Sequence, residues 1–216
     1  RRQRQMCIRD RVIITNDAEF HAKSVIIAIG AKPMKLGVSG EEEFVGRGVS
    51  YCAVCDGAFY KDKVVAVVGG GNSAVEEAMY LTKFASKVYL IHRRDELRAD
   101  KIIQERAFKN PKLEFIWDSV VTEVKGDKVV TAVVIKNVKT DEVSDLSIDG
   151  VFPYIGITPN LEHINGQLEQ DKAGFIMTDE TMKTSIDGVF AVGDVRKTPL
   201  RQVITCLLYT SPSPRD

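Results

Sequence analysis

The segment from Lys63 to Leu97 constrains the fold more than any other part of the sequence. It reads KVVAVVGGGNSAVEEAMYLTKFASKVYLIHRRDEL: an apolar run, three glycines, an amphipathic stretch and a second apolar run. Continuous apolar runs are typical of strands buried on both faces of a parallel sheet, and the middle part repeats its apolar residues at helical spacing. The segment therefore predicts a strand–helix–strand unit with a right-handed crossover, and with it an α/β fold.

The glycine-rich turn of this unit, GGGNSA, fits the pattern G-x-G-x-x-A. The pattern is weak alone, but its position between a predicted strand and a predicted helix indicates a dinucleotide site. There Gly69 makes the tight turn, Gly71 lets the backbone approach a pyrophosphate, and Ala74 allows close helix–strand packing. Asn72 or Ser73 can cap the helix, whose N-terminus attracts anions. The alternative is a glycine-rich turn without a ligand.

The end of the second predicted strand indicates which nucleotide binds. An NAD site usually carries an acidic residue about 20 residues after the glycines, whereas this chain has His92, Arg93 and Arg94, with Arg98 one helical turn beyond. Arginine binds phosphate oxygens through its planar fork, so the cluster favours the 2′-phosphate of NADPH. The alternative is a solvated basic cluster balanced by neighbouring acidic residues.

The two ends of the chain are predicted not to be native protein sequence. Back-translation of RRQRQMCIRD and of CLLYTSPSPRD resembles the two strands of a transposase adapter used to prepare DNA for sequencing. Residues 1–11 and 206–216 are therefore left out of the fold predictions.

Cys52 and Cys55 are the two cysteines that remain once Cys7 and Cys206 are set aside. Such a pair can be half of a zinc site, a structural disulfide or a catalytic dithiol. A structural zinc ion needs four ligands, and the chain offers no second pair with ligand spacing, so we expect no metal. A single close pair also argues against a secreted disulfide scaffold.

The composition of the chain limits the classes of partner that we expect. The apolar fraction of 44% and the charged fraction of 28% are ordinary for a soluble globular protein. A formal net charge of zero gives no electrostatic reason to expect nucleic acid, and no apolar run approaches the roughly 20 residues that span a bilayer.

The remaining elements are predicted from shorter patterns. Other apolar runs and turn residues predict the following: strands at 12–15, 24–31, 113–117 and 188–192, a connection at 35–50, a helix ending near Asn110, a hairpin over 127–152 turning at 139–142, and a crossing segment at 153–160. The last strand precedes Gly193, Asp194 and Val195, which resemble a second dinucleotide signature whose carboxylate binds a flavin ribityl hydroxyl. Alone, this Gly-Asp pair is more often a simple turn.

Five motifs in order carry a family resemblance: CAVCDG, GGGNSAVEEA, HRRDELRA, GVFAVGDV and RQVIT. The series closely resembles the NADPH-dependent thioredoxin reductases of the low-molecular-weight bacterial type, and the resemblance covers residues 12 to 205. It implies two Rossmann-like, three-layer nucleotide-binding domains, with the NADPH domain inserted into the FAD domain. The implied segments are 12–39 and 153–205 for an incomplete FAD domain and 40–152 for the NADPH domain, with hinges near 46–48 and 156–159.

The same resemblance implies the roles of individual residues. Electrons would pass from NADPH through FAD to a Cys52–Cys55 disulfide, with Cys55 facing the flavin and Cys52 attacking the disulfide of thioredoxin. Asp56 would donate and accept the proton. The segment Arg201, Gln202 and Val203 would contact the flavin together with Gly193, Asp194 and Val195. Asn72 replaces an Asp seen in many members, with little expected effect.

The resemblance further implies a cytoplasmic homodimer for the full-length parent, whereas the fragment is expected to be unable to hold FAD or turn over. Two other interpretations stay open. One is the flavoprotein reductase component of an alkyl hydroperoxide reductase, which shares this core. The other is a non-enzymatic NADP-binding sensor module, in which the dithiol has no obvious use.

Overall fold

The computed structural model describes residues 11–14, 17–162, 164 and 166–198. The chain forms two compact units: a larger one from Pro33 to Gly156, and a smaller one from the residues on either side of it. The described strands are β1 (Arg11–Ile14), β2 (Glu19–Ala22), β3 (Val25–Ile27), β4 (Ala31–Pro33), β5 (Val64–Val68), β6 (Lys87–Ile91), β7 (Leu113–Ile116), β8 (Ser119–Gly126), β9 (Val130–Asn137), β10 (Val143–Ser147), β11 (Gly150–Pro153), β12 (Ile157–Pro159) and β13 (Val189–Ala191). The described α-helices are α1 (Ala53–Asp56), α2 (Asn72–Leu81) and α3 (Lys101–Phe108), and 3₁₀ turns follow at Gly57–Tyr60 and Gly193–Val195.

A parallel sheet in the order β11-β5-β6-β7 forms the centre of the larger unit. Its strand β5 is buried on both faces, as its continuous apolar sequence predicts. Helix α2 packs its apolar stripe on this sheet through side chains with no exposed surface: Ala74, Val75, Ala78 and Leu81. The predicted strand–helix–strand unit is confirmed.

An antiparallel sheet in the order β10-β9-β8 covers a second core in the same unit. The turn between β9 and β10 lies at the predicted position, but β8 was not predicted. It is an edge strand with two register shifts and with charged residues in its sequence, so its periodicity is broken. The prediction that the hairpin runs on to Phe152 is wrong, because Gly150–Pro153 is buried as a strand of the parallel sheet.

The predicted domain limits differ from the limits of the compact units. The larger unit begins at Pro33 rather than at residue 40, because Leu36 and Val38 pack against its second core. It ends at Gly156 rather than at 152. The predicted hinge at 46–48 lies inside this unit, where the Arg47 and Gly48 carbonyls accept backbone hydrogen bonds. That the two units bind NADPH and FAD respectively stays a prediction.

The smaller unit contains short paired strands around a small core. Antiparallel β1 and β2 pair with each other, and β13 pairs in parallel with β3. The sequence predicts one strand over 24–31, but β3 ends at Ile27 and β4 begins at Ala31. Gly30 lies between them with a φ of 65°, a left-handed conformation that interrupts an extended strand.

Aromatic rings pack together beside helix α3. The ring of Trp117 stacks on that of Phe115, with centroids 5.2 Å apart, and Phe108 lies 4.8 Å from Phe115. Trp117 follows β7, and the backbone around it is tied to the end of β6: Ile116 accepts a hydrogen bond from His92, and Asp118 donates one to Arg94. The aromatic group thus adjoins the end of β6, where His92 and Arg94 lie.

Candidate active site: a disulfide and a glycine-lined basic cavity

The first glycine of the turn has a backbone conformation that suits glycine alone. Gly69 has a φ of 151°. A Cβ atom there would lie 2.4 Å from the Tyr154 carbonyl oxygen and 2.8 Å from the Ala74 Cβ. Gly69 therefore allows both the turn and the close approach of helix α2, and the small side chain of Ala74 completes that approach.

The second glycine, which the sequence pattern did not single out, makes room for His92. A Cβ atom on Gly70 would lie 2.3–2.5 Å from atoms of the imidazole ring. His92 is only 4% exposed, and its Nε2 atom has no hydrogen-bond partner among the described residues. Burial lowers the pKa of His92 first, and the charges of Arg98, Arg94 and Arg93 lower it further. The imidazole is therefore neutral near pH 7.

Asn72 does not cap helix α2, which corrects the sequence prediction. The N-cap residue is Gly71, in extended conformation, and Asn72 is the first helical residue. Its side chain instead reaches Asp100: Asn72 Nδ2 donates to Asp100 Oδ2, and the Asp100 N–H donates to Asn72 Oδ1, both at 2.8 Å. Ser73 is exposed on the first turn. The N–H groups at the start of α2 therefore have no side-chain cap.

A cavity of about 390 Å³ opens in front of the turn. The predicted residues Gly69, His92, Arg93 and Arg98 line it, together with Gly70. Arg94 is not part of its lining, and a Cβ atom on Gly71 would meet nothing within 4 Å. The structure thus brings four of the nine predicted NADPH residues together around one space, and the other five do not line it.

The three arginines near this cavity are not neutralised by their acidic neighbours. Arg93, Arg94 and Arg98 are exposed and form no salt bridge within the described ranges. Asp95 pairs with Lys139 at 2.7 Å instead, and Asp100 is engaged by Asn72. The interpretation of a self-balanced basic cluster is therefore not supported. Glycine backbone, a helix N-terminus and free guanidinium groups fit a 2′-phosphorylated dinucleotide.

Cys52 and Cys55 form a disulfide at the start of the short helix α1, with Cα atoms 5.3 Å apart. Cys52 is the N-cap residue, and its sulfur accepts a hydrogen bond from the Cys55 N–H. Cys52 is half-buried and Cys55 is exposed. Both sulfurs are used in this bond, and no group of three or more metal-binding side chains occurs among the described residues.

Asp56 is held beside the disulfide by Ser50, a contact that no pattern in the sequence predicts. The buried Ser50 hydroxyl donates to Asp56 Oδ2 at 2.6 Å and accepts from the Cys52 N–H at 3.1 Å. Ser50 thus links the acid to the backbone of the half-buried cysteine. Its position two residues before the motif was the only signal available in the sequence.

Tyr154 connects the disulfide to the glycine turn. Its hydroxyl accepts a hydrogen bond from the Ala53 N–H at 2.8 Å, while its carbonyl oxygen lies against Gly69. Burial raises the pKa of Tyr154 to about 12, although the bond from Ala53 opposes this change. Because 101 residues separate the two partners, no local pattern could have predicted the contact.

Glu41 is a buried carboxylate that fastens the segment leading to the cysteines. It is 1% exposed and accepts from the N–H groups of Leu36 and Gly37 and from the Tyr51 hydroxyl, all at 2.8 Å. Burial raises the pKa of the Tyr51 hydroxyl well above its usual range, and the hydrogen bond to Glu41 raises it further. The residue before Cys52 is therefore fixed by a satisfied buried charge.

Among the predicted FAD residues, Gly193, Asp194 and Val195 form a 3₁₀ turn directly after β13. Gly193 has a φ of 73°, and Val195 is buried. Asp194 is partly exposed, and no hydrogen bond to its side chain is present within the described ranges. A carboxylate at a strand end fits a ribityl hydroxyl. Arg201, Gln202 and Val203 lie outside the described residues.

Comparison with known proteins agrees with this geometry. The pyridine nucleotide-disulphide oxidoreductase family matches residues 2–207. The chain belongs to this family. It is 53% identical to a thioredoxin reductase of Peptoclostridium acidaminophilum over 201 residues, covering 90% of this chain and 64% of that protein. It is 49% identical to the thioredoxin reductase of Bacillus subtilis, covering 90% of this chain and 62% of that protein.

A solved structure is similar as well. The thioredoxin reductase of Lactococcus lactis, crystallised in the conformation named FR, is 54% identical, with a TM-score of 0.80. The match covers 92% of this chain and 66% of that one. The chain therefore spans less than two thirds of the length of these relatives. No helix in the described part of the chain is long and apolar enough to cross a membrane.

Proposed function

We propose that this family member is part of an NADPH-dependent thioredoxin reductase, a flavoprotein that transfers electrons from NADPH through FAD to Cys52–Cys55 and then to thioredoxin. The observation that carries the proposal is a disulfide with one exposed cysteine in the same compact unit as a basic, glycine-lined cavity. Relatives about 50% identical are thioredoxin reductases. The relatives reported above support neither a hydroperoxide reductase component nor a sensor module.

NADPH and FAD, when bound, supply two electrons as a hydride and pass them on. The cavity residues Arg93 and Arg98 bind the 2′-phosphate, and the N–H groups at the start of α2 bind the pyrophosphate. The Asp194 carboxylate accepts a hydrogen bond from a ribityl hydroxyl of the flavin. The proposal also assigns Arg94 and Ser73 to the NADPH site. It assigns residues 201–203 to the FAD site.

The cysteine pair carries the exchange chemistry. Two electrons and two protons convert the Cys52–Cys55 disulfide to a dithiol. One thiolate then attacks the thioredoxin disulfide, a mixed disulfide forms, and the second thiolate releases reduced thioredoxin and restores the starting bond. Asp56, held by Ser50, donates and accepts the proton at the cysteine sulfur.

Two exposed apolar side chains lie close to the pair in the sequence and suit contact with another protein surface. Val54 is 63% exposed and Phe59 is 75% exposed, on either side of the exposed Cys55. We assign thioredoxin as the partner, a homodimer as the assembly of the full-length parent, and the cytoplasm as its location, since cytoplasmic thiols are kept reduced by such systems.

The test is NADPH-dependent reduction of thioredoxin by the full-length parent protein, with Cys52→Ser and Cys55→Ser as variants. We expect turnover with NADPH, much less with NADH, and a loss of activity of at least about 10³-fold in either variant, because exchange needs both sulfurs. Activity that survives either substitution would remove the pair from the mechanism. Equal use of NADH would remove the role of the arginines.

A further inference from the structure

The Asn72 side chain joins the glycine turn to the arginine-bearing loop. Its amide donates to the Asp100 carboxylate while its carbonyl accepts from the Asp100 backbone, each at 2.8 Å. Asn72 is the first residue of helix α2, and Asp100 is the N-cap residue of helix α3. The pair therefore ties the start of the helix that follows the glycine turn to the start of the helix that follows Arg98.

Arg98 lies in the short segment that this pair anchors. The N–H groups of Arg98 and Ala99 both donate to the Gly70 carbonyl, at 2.7 and 3.1 Å. From the other side, Gln104 Nε2 donates to the Ala99 carbonyl at 2.7 Å. Leu97 and Ala99 are buried in the core on either side. The backbone of Arg98 is thus fixed relative to the glycine turn, while its side chain is exposed and lines the cavity.

Among the described residues, the other two arginines have no backbone hydrogen bond to the glycine turn, although the Arg94 carbonyl accepts one from the Asp118 N–H. Arg93 and Arg94 follow β6 in an exposed bend, and the neighbouring Asp95 is held by Lys139 rather than by the turn. Recognition of a phosphate by a guanidinium depends on geometry, because the planar fork binds two oxygens at once. An arginine whose backbone is fixed to the pyrophosphate-binding turn holds its guanidinium group at a set distance from the pyrophosphate, where the 2′-phosphate of a bound nucleotide would lie.

We infer that Asn72 and Asp100 form a positioning pair that holds Arg98 beside the glycine turn and so sets the preference for a 2′-phosphorylated nucleotide. Neither residue acts on the reacting atoms. The inference rests on the proposed NADPH site and adds to it the residues that determine specificity. It also assigns Asn72 a role other than the capping role predicted from its position.

The test compares the affinities of the chain for NADP⁺ and NAD⁺ by calorimetric titration. Asn72→Asp places two carboxylates against each other and removes the amide donor. We expect the NADP⁺-to-NAD⁺ affinity ratio to fall roughly tenfold, as losing one charge-assisted hydrogen bond would cause. The ratio cancels the effect of the added charge on the pyrophosphate that both nucleotides share, and the uncharged variant Asn72→Ala excludes its effect on the 2′-phosphate.

The exchange variant Asn72→Asp with Asp100→Asn restores the pair in reverse. The carboxylate then accepts from the amide and from the backbone N–H of residue 100, and the net charge equals that of the unmodified chain. Asn is also as good an N-cap residue as Asp. We expect this double variant to recover the ratio to within about threefold of the unmodified chain.

Two more variants separate positioning from general stability. Asn72→Ala removes both side-chain bonds without adding charge, and it should lower the ratio as well. Asn110→Ala is the matched control, because Asn110 also makes one side-chain and one backbone bond, to Thr82 and Lys112. Asn110→Ala should leave the NADP⁺-to-NAD⁺ affinity ratio unchanged, even if it lowers the melting temperature as much as Asn72→Ala does.

The outcomes separate this inference from the proposed function. An unmodified chain that prefers NADP⁺, and keeps this preference in both Asn72 variants, overturns the inference alone. The inference alone is also overturned if the exchange variant does not recover the NADP⁺-to-NAD⁺ affinity ratio. A chain that binds neither nucleotide, or binds both equally, overturns the inference together with the NADPH site.

Discussion

At the scale of single residues, three consecutive glycines have three different surroundings. Gly69 has a left-handed backbone and contacts helix α2, Gly70 lies against the buried imidazole of His92, and Gly71 faces open space. The pattern G-x-G-x-x-A names the first and third of these. It is silent on Gly70, because that requirement comes from a histidine 22 positions further along the chain.

The glycines can be tested as a matched pair of alanine variants. Gly70→Ala forces the new methyl group into the His92 ring, so we expect a loss of about 1–3 kcal/mol in the free energy of unfolding. The new methyl group of Gly71→Ala meets no neighbouring atom. Because alanine is a poorer N-cap residue than glycine, we expect this change to cost no more than about 1 kcal/mol, while it weakens NADP⁺ binding. Urea denaturation and titration with NADP⁺ measure the two effects. Equal destabilisation by both changes would contradict the assigned surroundings.

His92 should make stability depend on pH. Burial, Arg98, Arg94 and Arg93 lower its pKa below the ordinary 6.5, with the backbone of Glu96 opposing them. The unfolded chain therefore protonates His92 more readily than the folded chain does. The contribution of His92 to the free energy of unfolding is fully present above about pH 6.5 and is lost as the pH falls toward the folded pKa. His92→Gln should flatten this dependence. A parallel pH profile for the two proteins, measured by urea denaturation between pH 5 and 8, would show that His92 is not its source.

At the scale of elements, the strands that sequence predicts best are those with uniform surroundings. Most residues of strands β5 and β6 are buried, apart from partly buried ones such as Lys87 and Tyr89, so most positions in them favour an apolar side chain. Strand β8 combines an edge position with two register shifts, so its pattern is broken. The contacts of Ser50 with Asp56 and of Tyr154 with Ala53 are set by tertiary packing, and sequence periodicity carries no information about them.

The antiparallel sheet offers a comparison within one element pair. Val133 in β9 has no exposed surface, whereas Val143 in β10 is 58% exposed. Val133→Ala removes buried methyl groups and leaves a cavity, so we expect a loss of about 2 kcal/mol. Val143→Ala should cost less than about 0.5 kcal/mol. Denaturation midpoints at equal m-values give both numbers, and a larger loss for Val143 would mean that another surface covers this strand.

At the scale of the whole molecule, the larger unit is the more complete of the two. It contains a four-stranded parallel sheet, a three-stranded sheet and two hydrophobic cores. The described strands of the smaller unit pair only two by two around one small core. The glycine-lined cavity and the disulfide both lie in the larger unit.

We therefore expect residues 33–156 to fold without the rest of the chain. The isolated segment should unfold in one cooperative thermal transition, since its cores are made from its own residues. It should bind NADP⁺ and lack flavin absorbance. Calorimetry measures the transition and the binding of NADP⁺, and an absorbance spectrum shows whether flavin is present. If the segment has no cooperative transition, its folding depends on the smaller unit.

The chain contains a single tryptophan, and its position makes it a natural fluorophore for the proposed nucleotide site. Trp117 stacks on Phe115, and its neighbours Ile116 and Asp118 are hydrogen-bonded to His92 and Arg94. A ligand that draws the arginines toward a phosphate would change the packing around this indole. Its emission can thus report binding in the unlabelled protein, and the wavelength shift can be followed in real time by stopped-flow mixing.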